Sequence, residues 1–171
     1  MTLAGQRSVT LIRHAKSSWS NPQLIDFERP LNNRGRKDAP RVGRYLANAG
    51  IDFDRVLCSE AARARETLRG LRTMVELDDH NIEYHEDLYL SSSATIRMII
   101  AERAAGKSDI AVIAHNPGLE NLARELSGCT IERMPTSCVV RLSFDTDDSS
   151  WDQVLQRTGK VELYLLLREL D

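Results

Sequence analysis

The sequence predicts an α/β domain, with a mostly parallel central sheet and helices on both faces. Three short apolar runs, Ser8–Ile12 (SVTLI), Arg55–Cys58 (RVLC) and Asp109–Ala114 (DIAVIA), each lead into a polar turn and then a helical pattern. Their apolar residues are continuous rather than alternating, which is what strands covered on both sides require. Strand, helix, strand, helix with short links implies right-handed crossovers and a single three-layer unit. No repeat, low-complexity stretch or linker divides the chain, so residues 1–171 read as one domain.

Taken in order, SVTLI runs into Arg13-His14. Val42, Tyr45, Leu46 and Ala49 then share one helical face before Gly50, a natural residue to end that helix. Pro40 leaves two options: a helix beginning near it, or an earlier helical turn running up to a kink there. RVLC leads into Ser59-Glu60 and a stripe of Ala64, Leu68, Leu71 and Val75. Ile96, Ile99, Ile100 and Arg103 mark a third helix. DIAVIA leads into His115-Asn116-Pro117-Gly118, and Leu119, Leu122, Ala123 and Leu126 mark a fourth, closed at Gly128. The tail reads as an alternating strand, Cys138–Phe144, and a mostly buried one, Val161–Leu167, joined by a solvated turn at 145–150 (DTDDSS).

Composition narrows the function. With 23 Lys+Arg against 25 Asp+Glu and a formal charge of −2, the chain lacks the excess of cations that phosphate-backbone binding demands, so no nucleic-acid partner is expected. Its longest apolar runs, such as Leu163–Leu167, fall far short of the ~20 residues of a membrane helix. The opening residues MTLAGQRSVT carry no secretory signal pattern, and the 3 cysteines show no CxxC pairing. A disulfide framework or structural zinc site is therefore not expected, and a cytoplasmic location is.

Ligands of open α/β sheets bind beyond the carboxyl ends of the strands. Arg13-His14, the Ser59–Arg63 turn and His115 occupy those ends. A lone histidine there is more often structural. Two at separate strand ends, each beside a helix N-terminus and arginines, point to a shared anion site, most naturally for phosphate.

These segments resemble a known family. RHAKSSW (Arg13–Trp19) resembles the Arg-His-Gly signature of the histidine phosphatase superfamily (the phosphoglycerate mutase-like proteins), with Ala15 in place of the usual glycine. RPLNNRG (Arg29–Gly35), SEAARARET (Ser59–Thr67) and AHNPGLENL (Ala114–Leu122) resemble its next motifs, in family order. The short length and the HAxSxW and HNPGL variants are most similar to the SixA-type phosphohistidine phosphatases. The resemblance implies a phosphoglycerate mutase-like fold and a nucleophilic mechanism. In it His14 becomes a phosphohistidine that water hydrolyses, while Arg13, Arg63 and His115 hold the phosphate oxygens. No metal or organic cofactor is implied. Neighbouring arginines are expected to disfavour the imidazolium of His14 and keep it nucleophilic. Ser17 matches a family position that touches phosphate, although a turn serine capping backbone amides is an equal reading. Larger family members use a carboxylate as proton donor, and Asp87 or Glu86 lies in about that place, with Asp26 in another plausible loop. The bland reading of Glu86 and Asp87 is a pair of exposed turn acids. His80 and His85, in a polar stretch, read as solvated.

Two phosphatase-like patterns fail on spacing or position. Cys58 is separated from Arg63 by four residues where the cysteine-phosphatase loop has five, and Cys58 reads as a small buried side chain. Asp52-Phe53-Asp54-Arg55-Val56 fits a DxDxV pattern, but its strand follows the aspartates instead of preceding them. The expected substrate is a phosphorylated protein carrying phosphohistidine, with small phosphoesters or nucleotides as the alternative. A silent phosphate-binding module and a mutase are the remaining readings.

Overall fold

The computed structural model describes residues 5–148 and 150–170. Ser149 of the expected turn at 145–150, together with residues 1–4 and 171 of the expected domain, lies outside them. Six strands form one mixed sheet: β1 (Gln6–Arg13), β2 (Arg55–Ser59), β3 (Ile82–His85), β4 (Asp109–Ala114), β5 (Val139–Asp145) and β6 (Lys160–Leu165), in spatial order β3-β2-β4-β1-β5-β6. Pairings β1/β4, β2/β4 and β2/β3 are parallel, and β5 runs antiparallel to both β1 and β6. The mostly parallel α/β domain expected from the sequence is thus the observed one.

Helices α1 (Asn33–Asn48) and α2 (Ala62–Leu71) cover one face; α3 (Ser93–Arg103), α4 (Gly118–Leu126) and the short α5 (Trp151–Val154) cover the other. β4 shows why its apolar run is continuous. Ile110, Val112 and Ala114 pack with Ile96, Leu119 and Trp151, while Ala111 and Ile113 pack with Val42, Leu46 and Leu68. Alternate residues point to opposite faces, so a strand covered twice must be apolar throughout. Burying each such Val, Leu or Ile contributes about 1.5–3 kcal/mol.

Several elements depart from expectation for identifiable reasons. Helix α1 starts at Asn33, capped by the Asn32 side chain on Gly35 N (2.9 Å), and runs through Pro40. It ends as expected: Gly50 sits at φ +66, with Gly50 N donating to Ala47 O and Ile51 N to Leu46 O, a Schellman closure. Strand β3 has no apolar run to announce it, because it is a four-residue edge strand with no fully buried residue. β5 is buried almost throughout rather than alternating, since it lies inside the sheet with helices on both sides. β6 is the opposite edge, half-exposed rather than mostly buried, and stops at Leu165. Arg103 is exposed and pairs with Glu83 instead of joining the apolar stripe.

Candidate active site

The carboxyl ends of β1, β2 and β4 bring their following residues together. His14 leaves β1, Ser59 ends β2 with Arg63 in the first turns of α2, and His115 leaves β4 just before α4. Two glycines allow this closeness. A Cβ on Gly118 would fall 1.8 Å from Ser91 O, and one on Gly35 would fall 2.2 Å from Lys16 O, so α4 and α1 begin in contact with neighbouring backbone. Thr67 ties the assembly: its Oγ1 accepts from Ala15 N (2.9 Å) and donates to Arg63 O (2.7 Å).

His14, Arg63 and His115 are buried side by side. Nδ1 of His14 lies 2.7 Å from Ala15 O, an acceptor only, so Nδ1 carries the proton and Nε2 presents its lone pair. Arg63 Nε donates to that Nε2 at 3.3 Å. The His14 and His115 rings are 5.0 Å apart. Nε2 of His115 is 2.8 Å from Ser59 Oγ, which accepts from Ala61 N (3.3 Å) and has its own proton to give. When Ser59 Oγ donates to Nε2, the His115 proton sits on Nδ1, a buried atom with no partner among the described residues. Arg13 Nη1 donates to Met134 O (2.9 Å), and Arg13 Nε is likewise buried and unpartnered. Buried donors without acceptors are costly, so both atoms stand out as open hydrogen-bonding positions beside the two histidines.

Both imidazoles are held neutral. Burial pushes His14 down to about 3; Arg63, Arg13 and Arg29 add to that, and the Ala15 carbonyl opposes it. The arginines expected from the sequence to do this thus rank behind desolvation. Burial likewise pushes His115 down to about 2, helped by His14 and by the arginines.

The loop between β1 and α1 folds back over Arg63. Asp26 takes two of its nitrogens: Nη1 donates to Asp26 O (2.6 Å) and Nη2 to Asp26 Oδ2 (2.9 Å). Arg29 Nη1 donates to Oδ1 at 2.6 Å, and Tyr89 Oη donates to Oδ2 at 2.5 Å. Burial alone would push this carboxyl up, but the bonds from Tyr89, Arg63 and Arg29 outweigh it and hold Asp26 at about 2. Arg29 also donates to Ser17 Oγ (2.6 Å) and Ser18 O (2.9 Å), and its guanidinium lies over the exposed Trp19 ring. Ser17 accordingly accepts from a buried arginine and caps no backbone amide among the described residues.

A protein-family model, that of the histidine phosphatase superfamily (branch 1), matches residues 9–89, from β1 through Tyr89. An uncharacterised Mycobacterium tuberculosis protein is 31% identical over 141 residues, 77% of this chain and 85% of its own. The chain belongs to the histidine phosphatase superfamily. An uncharacterised chloroplastic protein of Arabidopsis thaliana is 29% identical over 161 residues, covering 90% of this chain and 72% of that one. Among solved structures, a protein of Agrobacterium tumefaciens assigned provisionally as the phosphohistidine phosphatase SixA is 26% identical with a TM-score of 0.77, covering 94% of this chain and 97% of its own. The protein histidine phosphatase SixA complexed with tungstate, 21% identical, has the same fold with a TM-score of 0.81, over 96% of this chain and 99% of that one. What the family brings to this histidine phosphatase is phosphatase hydrolase chemistry on a phosphorylated substrate.

The sequence candidates separate clearly in this histidine phosphatase fold. Arg13, His14, Arg63 and His115 lie together, and Asp26 joins them through Arg63. Glu86 and Asp87 do not: both are exposed, and neither carboxylate bonds to the cluster. The 3₁₀ turn Glu86–Leu88 buries Leu88 and turns the acids outward, so it is Tyr89 that enters the site, edge-on to His115 with centroids 5.4 Å apart. Arg29 and Tyr89 escape sequence reasoning as site residues, although Arg29 opens the RPLNNRG motif and Tyr89 follows Asp87 closely; Ser59 is read only as the start of a polar turn. His80 is exposed, whereas His85 is half-buried against Glu83 (3.2 Å) rather than solvated, and both lie outside the cluster. Cys58 is buried at its strand end, with burial pushing its thiol far up. Asp54 accepts from Ser108 N and Asp109 N at the amino ends of β2 and β4, opposite the site.

Proposed function

We propose that the protein is a metal-independent phosphatase of protein phosphohistidine, with His14 as its nucleophile. The Nε2 lone pair bonds to phosphorus as the bond from phosphorus to the substrate's imidazole nitrogen breaks. That nitrogen keeps the electron pair and takes a proton from solvent. Water then attacks phosphorus, the Nε2–phosphorus bond breaks with its electrons returning to Nε2, and inorganic phosphate leaves. Arg13 and Arg63 hold the equatorial oxygens, and His115 donates from Nδ1. Such fixed donors act on charge as it develops, which is most of what phosphoryl transfer needs.

The state of Asp26 carries the choice of substrate class. It alone of Asp26, Glu86 and Asp87 reaches Arg63, and three hydrogen bonds keep it ionised at neutral pH. An ionised carboxylate has no proton to give, so this site favours a leaving group that departs without strong acid assistance. Phosphohistidine is such a group; an alkyl phosphate ester is not.

The test is phosphate release in EDTA from a phosphohistidine protein and from an aryl phosphate, for wild type and His14→Ala. Turnover in EDTA, with the phosphoprotein preferred and all turnover absent in His14→Ala, is expected. Loss of activity in EDTA would overturn the metal-free mechanism, and preference for small esters would overturn the substrate class.

A further inference from the structure

Helix α2 begins at the site and carries a second basic feature on its outer side. Arg65 and Arg69 on α2 and Arg72 at its end share one side of the helix at spacings of four and three residues. Together with Thr73 and Tyr84 they line a surface groove of about 410 Å³ that contains no carboxylate. Arg72 is paired with Asp79 at 2.6 Å. Arg65 and Arg69 are exposed and make no hydrogen bond or ion pair among the described residues; Arg65 only stacks over the Tyr84 ring at 4.6 Å. An adjoining groove, lined by the same Arg65 and Arg69, carries Phe27, Glu28, Glu60 and Glu66, the last of which accepts from the Leu31 amide (2.8 Å). On the side away from those glutamates, Arg65 and Arg69, with no direct ion partner among the described residues, face a groove lined by no carboxylate and form a local surface for anions.

We propose that this groove docks an acidic segment of the phosphoprotein substrate. The inference rests on the phosphoprotein reading above and names what such a partner presents beside its phosphohistidine. Arg69 and Arg72 lie six and nine residues along α2 from Arg63, roughly 9 and 13 Å at the rise of an α-helix. An extended peptide covers that distance in about three or four residues at ~3.3 Å each. The partner's acidic side chains therefore begin about three or four residues from the phosphohistidine. Closer acids would meet Glu28 and Glu60.

The experiment uses synthetic phosphohistidine peptides carrying four glutamates that begin three residues from the phosphohistidine, on either side, and matched peptides with four glutamines. The full chain is compared with its Arg65→Glu/Arg69→Glu variant, and aryl phosphate turnover reports intact folding and chemistry in both. Wild type should show a KM about five- to tenfold lower for one of the glutamate peptides, with kcat unchanged. That preference should shrink at ~0.5 M salt and vanish or invert in the variant, with aryl phosphate turnover unaffected. Equal KM for glutamate and glutamine peptides in wild type, or an unchanged preference in the variant, would overturn the docking groove and leave the phosphatase reading standing. Wild type that hydrolyses aryl phosphate and neither kind of phosphohistidine peptide would overturn both.

Discussion

Tyr89 donates its hydroxyl to Oδ2 of Asp26 at 2.5 Å, tying the turn after β3 to the loop after β1. The bond joins residues 63 positions apart and fixes the carboxylate that grips Arg63. Replacing Tyr89 with Phe removes one of the interactions that hold Asp26 down. The Asp26 midpoint, followed by carboxyl carbon NMR, should rise from about 2 toward its ordinary value. An unmoved midpoint would mean that Arg63 and Arg29 alone fix its charge.

Asp26→Asn separates positioning from proton donation. If Asp26 acts by pinning Arg63, kcat/KM should fall roughly tenfold or more, by similar factors for aryl phosphates with good and poor leaving groups. A loss that grows steeply as the leaving group worsens would identify Asp26 as a proton donor instead.

The two neutral histidines couple stability to pH. The unfolded chain takes up a proton at each near pH 6.5, whereas the folded one resists until about 3 at His14 and about 2 at His115. Stability is therefore full above pH 6.5 and falls as pH drops through that value, by up to about 1.4 kcal/mol per pH unit for each histidine. Asp26 adds to the loss only below its ordinary 3.8, as its own depressed midpoint is approached. Urea unfolding at pH 7.5, 6, 5 and 4 measures the slope. A flat profile between 7.5 and 5 would contradict neutral burial of both rings.

Two glycines test space against backbone conformation. Gly118→Ala places a methyl group 1.8 Å from Ser91 O and should cost about 3 kcal/mol or more, displacing α4 from His115. Gly50→Ala meets no atom within 4 Å but adopts φ +66, so the left-handed penalty of about 1 kcal/mol is all it should lose. Thermal melts of both variants, with phosphatase activity for the first, decide it.

Strand ends are legible from sequence because a strand covered on both faces must be apolar and its site-bearing end must turn polar, as at Ile12–His14 and Ala114–His115. Tyr89 is not legible, because its entry depends on how one 3₁₀ turn disposes Glu86, Asp87 and Leu88. Burial is equally invisible: the arginines beside His14 can be read from motifs, but the desolvation that dominates its neutrality belongs to packing. β3 and β6 mislead for a related reason. Edge strands are covered on fewer sides, so their composition follows exposure rather than pairing.

The place of β1 between β4 and β5 also governs when the site can exist. Ser8 must wait for Asp109 and Gln6 for Asp145 before the strand leading to His14 gains either neighbour. Contacts so distant along the chain form late and slowly. On the ribosome, His14 emerges before Arg63 and His115, which can close around it only after β4 has been made. A nascent chain that ends before β4 thus lacks the cluster of His14, Arg63 and His115 altogether.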